Sequence, residues 1–298
     1  MKELRLKALA KINLGLDVLR RREDGYHEVK MVMQTIRLYD RLILKKTDRP
    51  GIQVKTNLYY LPANENNLVY QAAKLLQDEF DLKSGMVISL RKFIPVAAGM
   101  AGGSSDAAAV LYGMNRMFQL QLSREELMKL GVRIGADVPY CIMRGTALAE
   151  GIGEQLSALP PMPECQVVIA RPPISVSTKF VYENLNLGEH TVHPDIDRII
   201  KGLEEGDLHQ VAAHMGNVLE SVTIPHYPVI ARIKEEMKAG GALNAMMSGS
   251  GPTVFGLFDN KEKAEQTCQA LREGTLAKQV YLTDIYNTFR TEHTGKEE

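Results

Sequence analysis

The residues of this chain able to do chemistry fall into four short stretches. The densest is Gly99-Met100-Ala101-Gly102-Gly103-Ser104-Ser105-Asp106, which follows a predicted strand and opens a predicted helix. Small residues let a backbone approach a ligand closely, and the free N–H groups of a helix start favour anions. Ser104 and Ser105 add hydroxyls suited to phosphate oxygens or a metal. A tight, close-packed turn needs the same small residues, so composition leaves the two readings level. The second stretch is Ser248-Gly249-Ser250-Gly251-Pro252-Thr253, between apolar strand-like segments. A plain glycine hairpin needs fewer special residues, which favours contact with a ligand. The third is Lys11-Ile12-Asn13, where strand alternation puts Lys11 and Asn13 on one face. Taken alone, such a lysine is ordinarily a solvated outward residue. The fourth is Gly135-Ala136-Asp137-Val138-Pro139, and an Asp so bounded is ordinarily a turn residue.

Several familiar signatures are missing. The sequence has no G-x-x-x-x-G-K-[ST], no G-x-G-x-x-G after a strand, no HExxH and no G-x-S-x-G. P-loop, Rossmann, zincin and α/β-hydrolase readings therefore have no support. Cys141, Cys165 and Cys268 are odd in number and far apart, so they form neither a disulfide framework nor a CxxC metal site.

The elements that must position the four stretches can be read from periodicity. Leu4, Leu6 and Ala8, then Ile12, Leu14, Leu16 and Val18, alternate as strands, followed by the polar turn RREDGY at 21–26. Strands are expected at 28–36, 41–46 and 86–92, and a helix at 67–80. An Ala-rich run to Phe118 reads as a buried helix, and Ser123 with Glu126 forms a capping box for the next. The proline cluster SALPPMP at 157–163 is the best linker. Beyond it come a strand at 166–170, helical patterns at 177–186, 194–203, 207–219 and 227–238, a strand-loop-strand at 243–258, a helix at 261–272 and a strand at 278–285. Strands mixed with paired helices indicate α+β in both halves, there is no internal repeat, and the closing TGKEE reads as a frayed tail.

Composition bounds the partners. The 298 residues suggest two domains. Lys plus Arg and Asp plus Glu are both 36, so the net charge is 36 − 36 = 0, and no basic excess or stripe marks a nucleic-acid protein. No run approaches the roughly 18 apolar residues that span a bilayer. Charged residues from Lys2 to Asp17 interrupt any signal peptide, so the expected location is cytoplasmic.

Together and in this order, AKINLGLDV at 10–18, IPVAAGMAGGSSDAAA at 94–109 and MSGSGPTVFGLF at 247–258 resemble the GHMP kinases. Further likeness lies in DGYH at 24–27, IGADVP at 134–139 and STKFVY at 177–182; DGYH sets the chain apart from the sugar and mevalonate kinases and points to the branch acting on a cytidine diphosphate derivative. The resemblance spans about residues 5–285. It implies an ATP-dependent small-molecule kinase with an α+β, two-domain fold. The first domain (1–157) would be like ribosomal protein S5 and the second (164–298) ferredoxin-like, with the site in the cleft between them.

The resemblance also implies roles. Asp137 matches the catalytic base, Lys11 the lysine beside it that helps polarise the substrate hydroxyl, and Asn13 a substrate-positioning amide. Tyr26 and His27 match the cytidine reader, with Tyr182 as second aromatic, Phe180 its rival, and Thr178 nearby. Pro95-Val96-Ala97-Ala98-Gly99-Met100-Ala101-Gly102-Gly103-Ser104-Ser105 matches the loop around the ATP phosphates. Asn67 and Lys92 resemble residues near the adenosine. Ala98 and Met100 replace a frequent glycine and leucine but keep small or apolar character. Mg²⁺ is expected on phosphates and hydroxyls, with its protein ligands unassigned. The expected partners are ATP and a cytidine diphosphate derivative, with no nucleic acid and no membrane. Both are anions, so a neutral chain must attract them locally, through amides, Mg²⁺, Lys11 and Lys92. The oligomeric state, monomer or homodimer, is open.

Overall fold

Alternation at the N-terminus builds two long strands that carry the rest of the fold. The structure, a computed structural model, describes residues 1–188 and 191–288; the TGKEE run lies outside them. Along the chain come β1 (Glu3–Arg21), β2 (His27–Thr47), β3 (Ile52–Thr56), α1 (Leu68–Glu79), β4 (Gly85–Arg91), α2 (Gly102–Phe118), α3 (Arg124–Val132), α4 (Val138–Met143), β5 (Thr146–Glu150), β6 (Gln155–Ala158) and β7 (Gln166–Arg171). Then follow α5 (Thr178–Glu183), α6 (Ile196–Glu205), α7 (Leu208–His214), β8 (Gly216–Asn217), α8 (Glu220–His226), α9 (Val229–Ala239), β9 (Asn244–Met247), β10 (Val254–Phe258), α10 (Lys261–Glu273) and β11 (Gln279–Asp284).

The strands form two sheets. The first is ordered β3-β4-β2-β1-β8, with β5 also paired to β2 and β6 to β5. The second is ordered β11-β7-β10-β9, an antiparallel sheet of the ferredoxin-like order 4-1-3-2 with α9 and α10 packed on it. The α+β class is as expected from the sequence. The capping box at Ser123–Glu126 is present in full.

Several elements differ from the periodicity. The strands expected at 28–36 and 41–46 are one strand, β2, because both halves pair with β1. The helix expected over 207–219 stops at His214, and β8 then runs parallel to β1 at Gly15 and Leu16. Gly216 allows that crossing, since a Cβ there would press on Pro194. Asp137, on its own ordinarily a turn residue, instead caps a short helix that has Pro139 in its first turn, where proline is tolerated.

Register shifts in β1, between Leu9 and Lys11 and between Asn13 and Gly15, decide which face each residue takes. A bulge adds one residue and reverses the inside–outside parity. Ala8, Leu16 and Val18 join the core under α1 and α2, whereas Ala10, Ile12 and Leu14 join a second core with Val167, Ile169 and Phe255 of the other sheet. Lys11 and Asn13 are thereby buried on the helix side, not solvated as a strand lysine ordinarily is.

A buried charge cluster sits where α2 begins. Lys92 Nζ donates to Asp106 Oδ2 (2.6 Å) and to Asp40 Oδ2. Asp40 Oδ1 accepts the amides of Phe93 (2.5 Å) and Ile94 (2.9 Å). Asp106 Oδ1 has no hydrogen-bond partner among the described residues. Burial pushes the Asp106 carboxyl well above the usual range, against the opposing pull of Lys92. Burial acts to lower the Lys92 pKa, but Asp106 and Asp40 outweigh it and hold the ammonium above its ordinary value. Removing one partner of a buried ion cluster strands the others. Lys92→Met is therefore expected to lower the unfolding free energy in urea at neutral pH by about 3–5 kcal/mol. Asp106→Asn, which keeps the Lys92–Asp40 pair, is expected to cost much less; equal losses would show that the cluster does not work this way.

Candidate functional site

Three of the four sequence stretches meet at one point. Lys11 Nζ donates to Asn13 Oδ1 at 2.7 Å, across the i, i+2 spacing of β1. The same Oδ1 accepts the amide of Gly249 at 3.1 Å. The amide of Lys11 donates to the Met100 carbonyl (3.2 Å), and Ser248 Oγ donates to the Gly99 carbonyl (2.8 Å). Gly99 sits at φ +76° with the Ser248 carbonyl where its Cβ would be, and a Cβ on Gly249 would lie 3.2 Å from the Gly99 Cα. The two glycine loops are therefore packed backbone against backbone. The 248–253 stretch is more than a hairpin: it closes on the central loop of the other sheet.

That central loop forms an anion cradle. Ala97 (φ 50°), Gly99 (φ 76°) and Ala101 (φ 52°) are all left-handed, alternating with ordinary residues. Such alternation turns successive N–H groups inward. The 17-residue helix α2 starts with no side-chain cap and no acidic residue in its first turn. The amides of Gly102, Gly103 and Ser104 therefore point out of the helix start with no helical acceptor, and the positive end of the macrodipole is open to an anion. Ser105 Oγ is committed to the Leu9 carbonyl (2.6 Å); Ser104 is the half-exposed hydroxyl of the pair. Among the described residues no group of three or more His, Cys, Asp or Glu side chains could hold a metal.

Asp137 caps α4 at φ −80°, ψ −12°, without a side-chain hydrogen bond to its own helix. Its charge acts on three neighbours. Burial, then Asp137, raises the Tyr182 phenol to about 12. Tyr140 and Cys141 feel the same charge, and Lys11 pulls Cys141 in the opposite direction. Lys11 and Asp137 thus both act on Cys141, yet no ion pair within 4 Å joins them among the described residues; the Lys11 ammonium is held by Asn13 instead.

Tyr182, which feels the Asp137 charge, belongs to an aromatic pair. The His27 and Tyr182 ring centroids are 5.1 Å apart at 43°. Phe180 packs instead on His226 (5.1 Å, edge-on), so Tyr182, not Phe180, stands beside the DGYH turn. Tyr26 is 62% exposed at the rim. Burial and the Arg21 charge hold the His27 imidazole below its ordinary pKa. Thr178 Oγ1 and Ser250 Oγ share a hydrogen bond (2.8 Å), tying α5 to the 248–253 loop.

Two expectations meet a different geometry. Asn67 is the N-cap of α1, with Oδ1 accepting Val69 N (3.1 Å) and Nδ2 donating to the Pro62 carbonyl (2.6 Å). Both of its polar atoms are committed to local structure. Lys92 lies beneath the loop, paired with two carboxylates, and a Cβ on Gly102 would sit 3.1 Å from its Nζ. It braces the loop from below and supplies no free charge to a ligand. Sequence reading missed Asn217, whose Nδ2 donates to both the Met247 and Gly249 carbonyls (2.8 Å each) while Oδ1 accepts Leu219 N (3.0 Å). It clamps the loop that holds Asn13. The only signal was an Asn inside an apparent helix, which is weak.

The family described as "GHMP kinases N terminal domain" matches residues 67–145, and "GHMP kinases C terminal" matches 199–275. The chain is 59% identical over 283 residues to 4-diphosphocytidyl-2-C-methyl-D-erythritol kinase of Lachnoclostridium phytofermentans, covering 95% of this chain and 97% of that one. The protein of the same name from Lachnospira eligens is 59% identical over 286 residues, covering 96% and 99%. A crystal structure of 4-(cytidine 5'-diphospho)-2C-methyl-D-erythritol kinase superposes with a TM-score of 0.82 at 30% identity, over 96% of this chain and 100% of that one. The homoserine kinase of Cytophaga hutchinsonii (TM-score 0.78, 20% identity, 96% and 95% covered) shares the fold.

The loop junction makes its own prediction. Gly99→Ala needs a left-handed alanine, costing about 1–2 kcal/mol, and forces the Ser248 carbonyl away. The expected result is a lower melting temperature and faster hydrogen exchange at the Gly249 amide. Unchanged exchange there would mean that the two loops do not depend on each other.

Proposed function

This chain belongs to the GHMP kinase family, in the branch of the 4-diphosphocytidyl-2-C-methyl-D-erythritol kinases, and from that premise we propose that it phosphorylates the 2-hydroxyl of 4-diphosphocytidyl-2-C-methyl-D-erythritol in non-mevalonate isoprenoid precursor biosynthesis. It is an ATP-dependent small-molecule kinase. The observation that carries the finer reading is the convergence of Lys11–Asn13 and the two glycine loops, with Asp137 and the His27–Tyr182 pair beside them. The reading divides the chain at 157–163, with the site between the two units and the enzyme in the cytoplasm. No helix among the described residues is long and apolar enough to cross a membrane.

Phosphoryl transfer asks for positioning and charge neutralisation more than for covalent help. In this reading the amides of Gly102, Gly103 and Ser104 hold the ATP phosphates. Mg²⁺, when bound, offsets charge growing on the phosphates. Phosphate oxygens and the half-exposed Ser104 hydroxyl would hold that ion. Asp137 takes the proton of the substrate hydroxyl, and its lack of a helix-capping bond leaves its oxygens able to do so. Lys11, fixed by Asn13, turns its ammonium toward that hydroxyl. His27, held below its ordinary pKa, stays neutral at pH 7, so one ring nitrogen donates and the other accepts at the cytosine edge. Tyr26, Tyr182 and Thr178 complete the substrate side.

Two results test this. Asp137→Asn is expected to lower kcat by about 10²–10⁴-fold while calorimetry finds ATP binding unchanged. Near-normal turnover would remove Asp137 as the base. His27→Ala is expected to raise KM for the cytidine substrate by about 5–150-fold, the equivalent of 1–3 kcal/mol of base recognition, with KM for ATP unmoved. Because the His27 pKa is lowered, wild-type KM should be flat through neutral pH and rise only below about 6.5. Release of ADP with homoserine or mevalonate alone would overturn the substrate assignment.

A further inference from the structure

The first sheet has a second face that the kinase reading leaves unused. Leu4, Leu6, Leu42, Leu44 and Leu90 pack under the helices, and the opposite face near Ile12 and Leu14 is covered by the second sheet. Where the second sheet ends, at Tyr281 with its hydroxyl on the Phe93 carbonyl (3.0 Å), the face continues with Lys7, Arg41 and Arg91 exposed among the described residues. Three cations stand on it in register. Lys7 is the direct partner of Arg41 across β1 and β2, and Arg41 is the direct partner of Arg91 across β2 and β4. Like charges directly opposite on a sheet repel and destabilise it. None of the three has a carboxylate within ion-pair distance among the described residues, although the chain as a whole is neutral.

These cations border a groove of about 1820 Å³ that wraps over the edge of β1. Its described lining holds nine Lys and Arg side chains and no Asp or Glu. Charge is therefore segregated here, and the zero total that argued against a polyanion partner concealed it. Half-buried rings alternate with the cations. Lys7 lies 4.8 Å from the Tyr39 centroid, Arg41 5.8 Å from Tyr39 and 5.6 Å from Phe93, and Arg91 5.5 Å from Phe93. The positive field, led by Arg41 and Lys7, also lowers the Tyr39 phenol pKa.

We propose that this sheet face is a second binding site, for single-stranded nucleic acid. A row of cations follows a phosphate backbone, and interleaved aromatic rings offer stacking surfaces that accept any base. A membrane surface fits less well. The face is a groove, and none of the large exposed apolar residues (Met1, Leu19, Val132, Val192 and the exposed tyrosines) lines it to enter a bilayer.

The test uses the full chain and a labelled twelve-residue oligo-dT or oligo-U strand, read by fluorescence anisotropy from 50 to 200 mM salt with saturating ATP present. If three cations meet phosphates, the slope of log K against log salt should be about −2, at roughly −0.7 per contact for a single strand. Arg41→Glu with Arg91→Glu should weaken binding at least tenfold and flatten the slope, with kinase turnover unchanged. Arg133→Glu, an exposed arginine away from the groove, should leave binding alone. The folding control is internal: Arg41→Glu places a carboxylate between Lys7 and Arg91, so its melting temperature should rise by about 1–3 °C. No binding at 50 mM salt, displacement by ATP, equal binding by the Arg41/Arg91 variant, or pelleting with anionic phosphatidylglycerol vesicles in place of strand binding would each overturn the proposal.

Discussion

Gly99 and Gly249 meet backbone to backbone, and the geometry of the site depends on that approach. A side chain at either position would hold the two loops apart. With none there, Ser248 reaches the Gly99 carbonyl, Gly249 reaches Asn13, and Asn13 holds Lys11. Asn217 fixes the far side of the same loop. The Lys11 ammonium is thus oriented by a chain of hydrogen bonds that crosses from one sheet to the other. Such a chain tolerates no gap, because each buried polar atom left unpaired carries a desolvation penalty of about 1–3 kcal/mol.

A second constraint lies under the central loop. Three left-handed residues, two of them alanine, are unfavourable without support. The Asp40–Lys92–Asp106 cluster supplies it by fixing the chain at 92–94 and the start of α2 together. A buried ion cluster contributes little net stability, since desolvation offsets the attraction. What it adds here is geometry: two carboxylates and one ammonium in contact leave few alternative arrangements. The helix start above can then keep its amides free for an anion.

The sequence made the loops legible because glycine, serine and proline at fixed spacing have few structural explanations. It made the helices at 68–79, 124–132 and 261–273 legible because period and caps agree there. The face taken by Lys11 was not derivable from alternation. Two bulges in β1 reverse parity, and a bulge leaves no mark in a run where every neighbour is apolar. β8 was unreadable for a related reason: two residues pair with β1 only because Gly216 fits against Pro194, a contact made far along the chain. Asn67 and Lys92 show the converse. Family likeness drew them toward the nucleotide, while their atoms are committed to a cap and to an ion cluster.

Net charge gives the clearest case of a true statement that misleads. A sum of zero describes a mean over the surface, and ligands respond to local fields. At the central loop an anion would meet amides and a helix start, because Lys92 is paired with two carboxylates. On the exposed sheet face the balance runs the other way, with Lys7, Arg41 and Arg91 in cross-strand register and unpaired among the described carboxylates. Cross-strand pairing is fixed by the fold and invisible to a sum. Only after β1, β2 and β4 are aligned do residues 7, 41 and 91 become neighbours, and only then does a charge pattern spread over 85 positions of sequence become one surface.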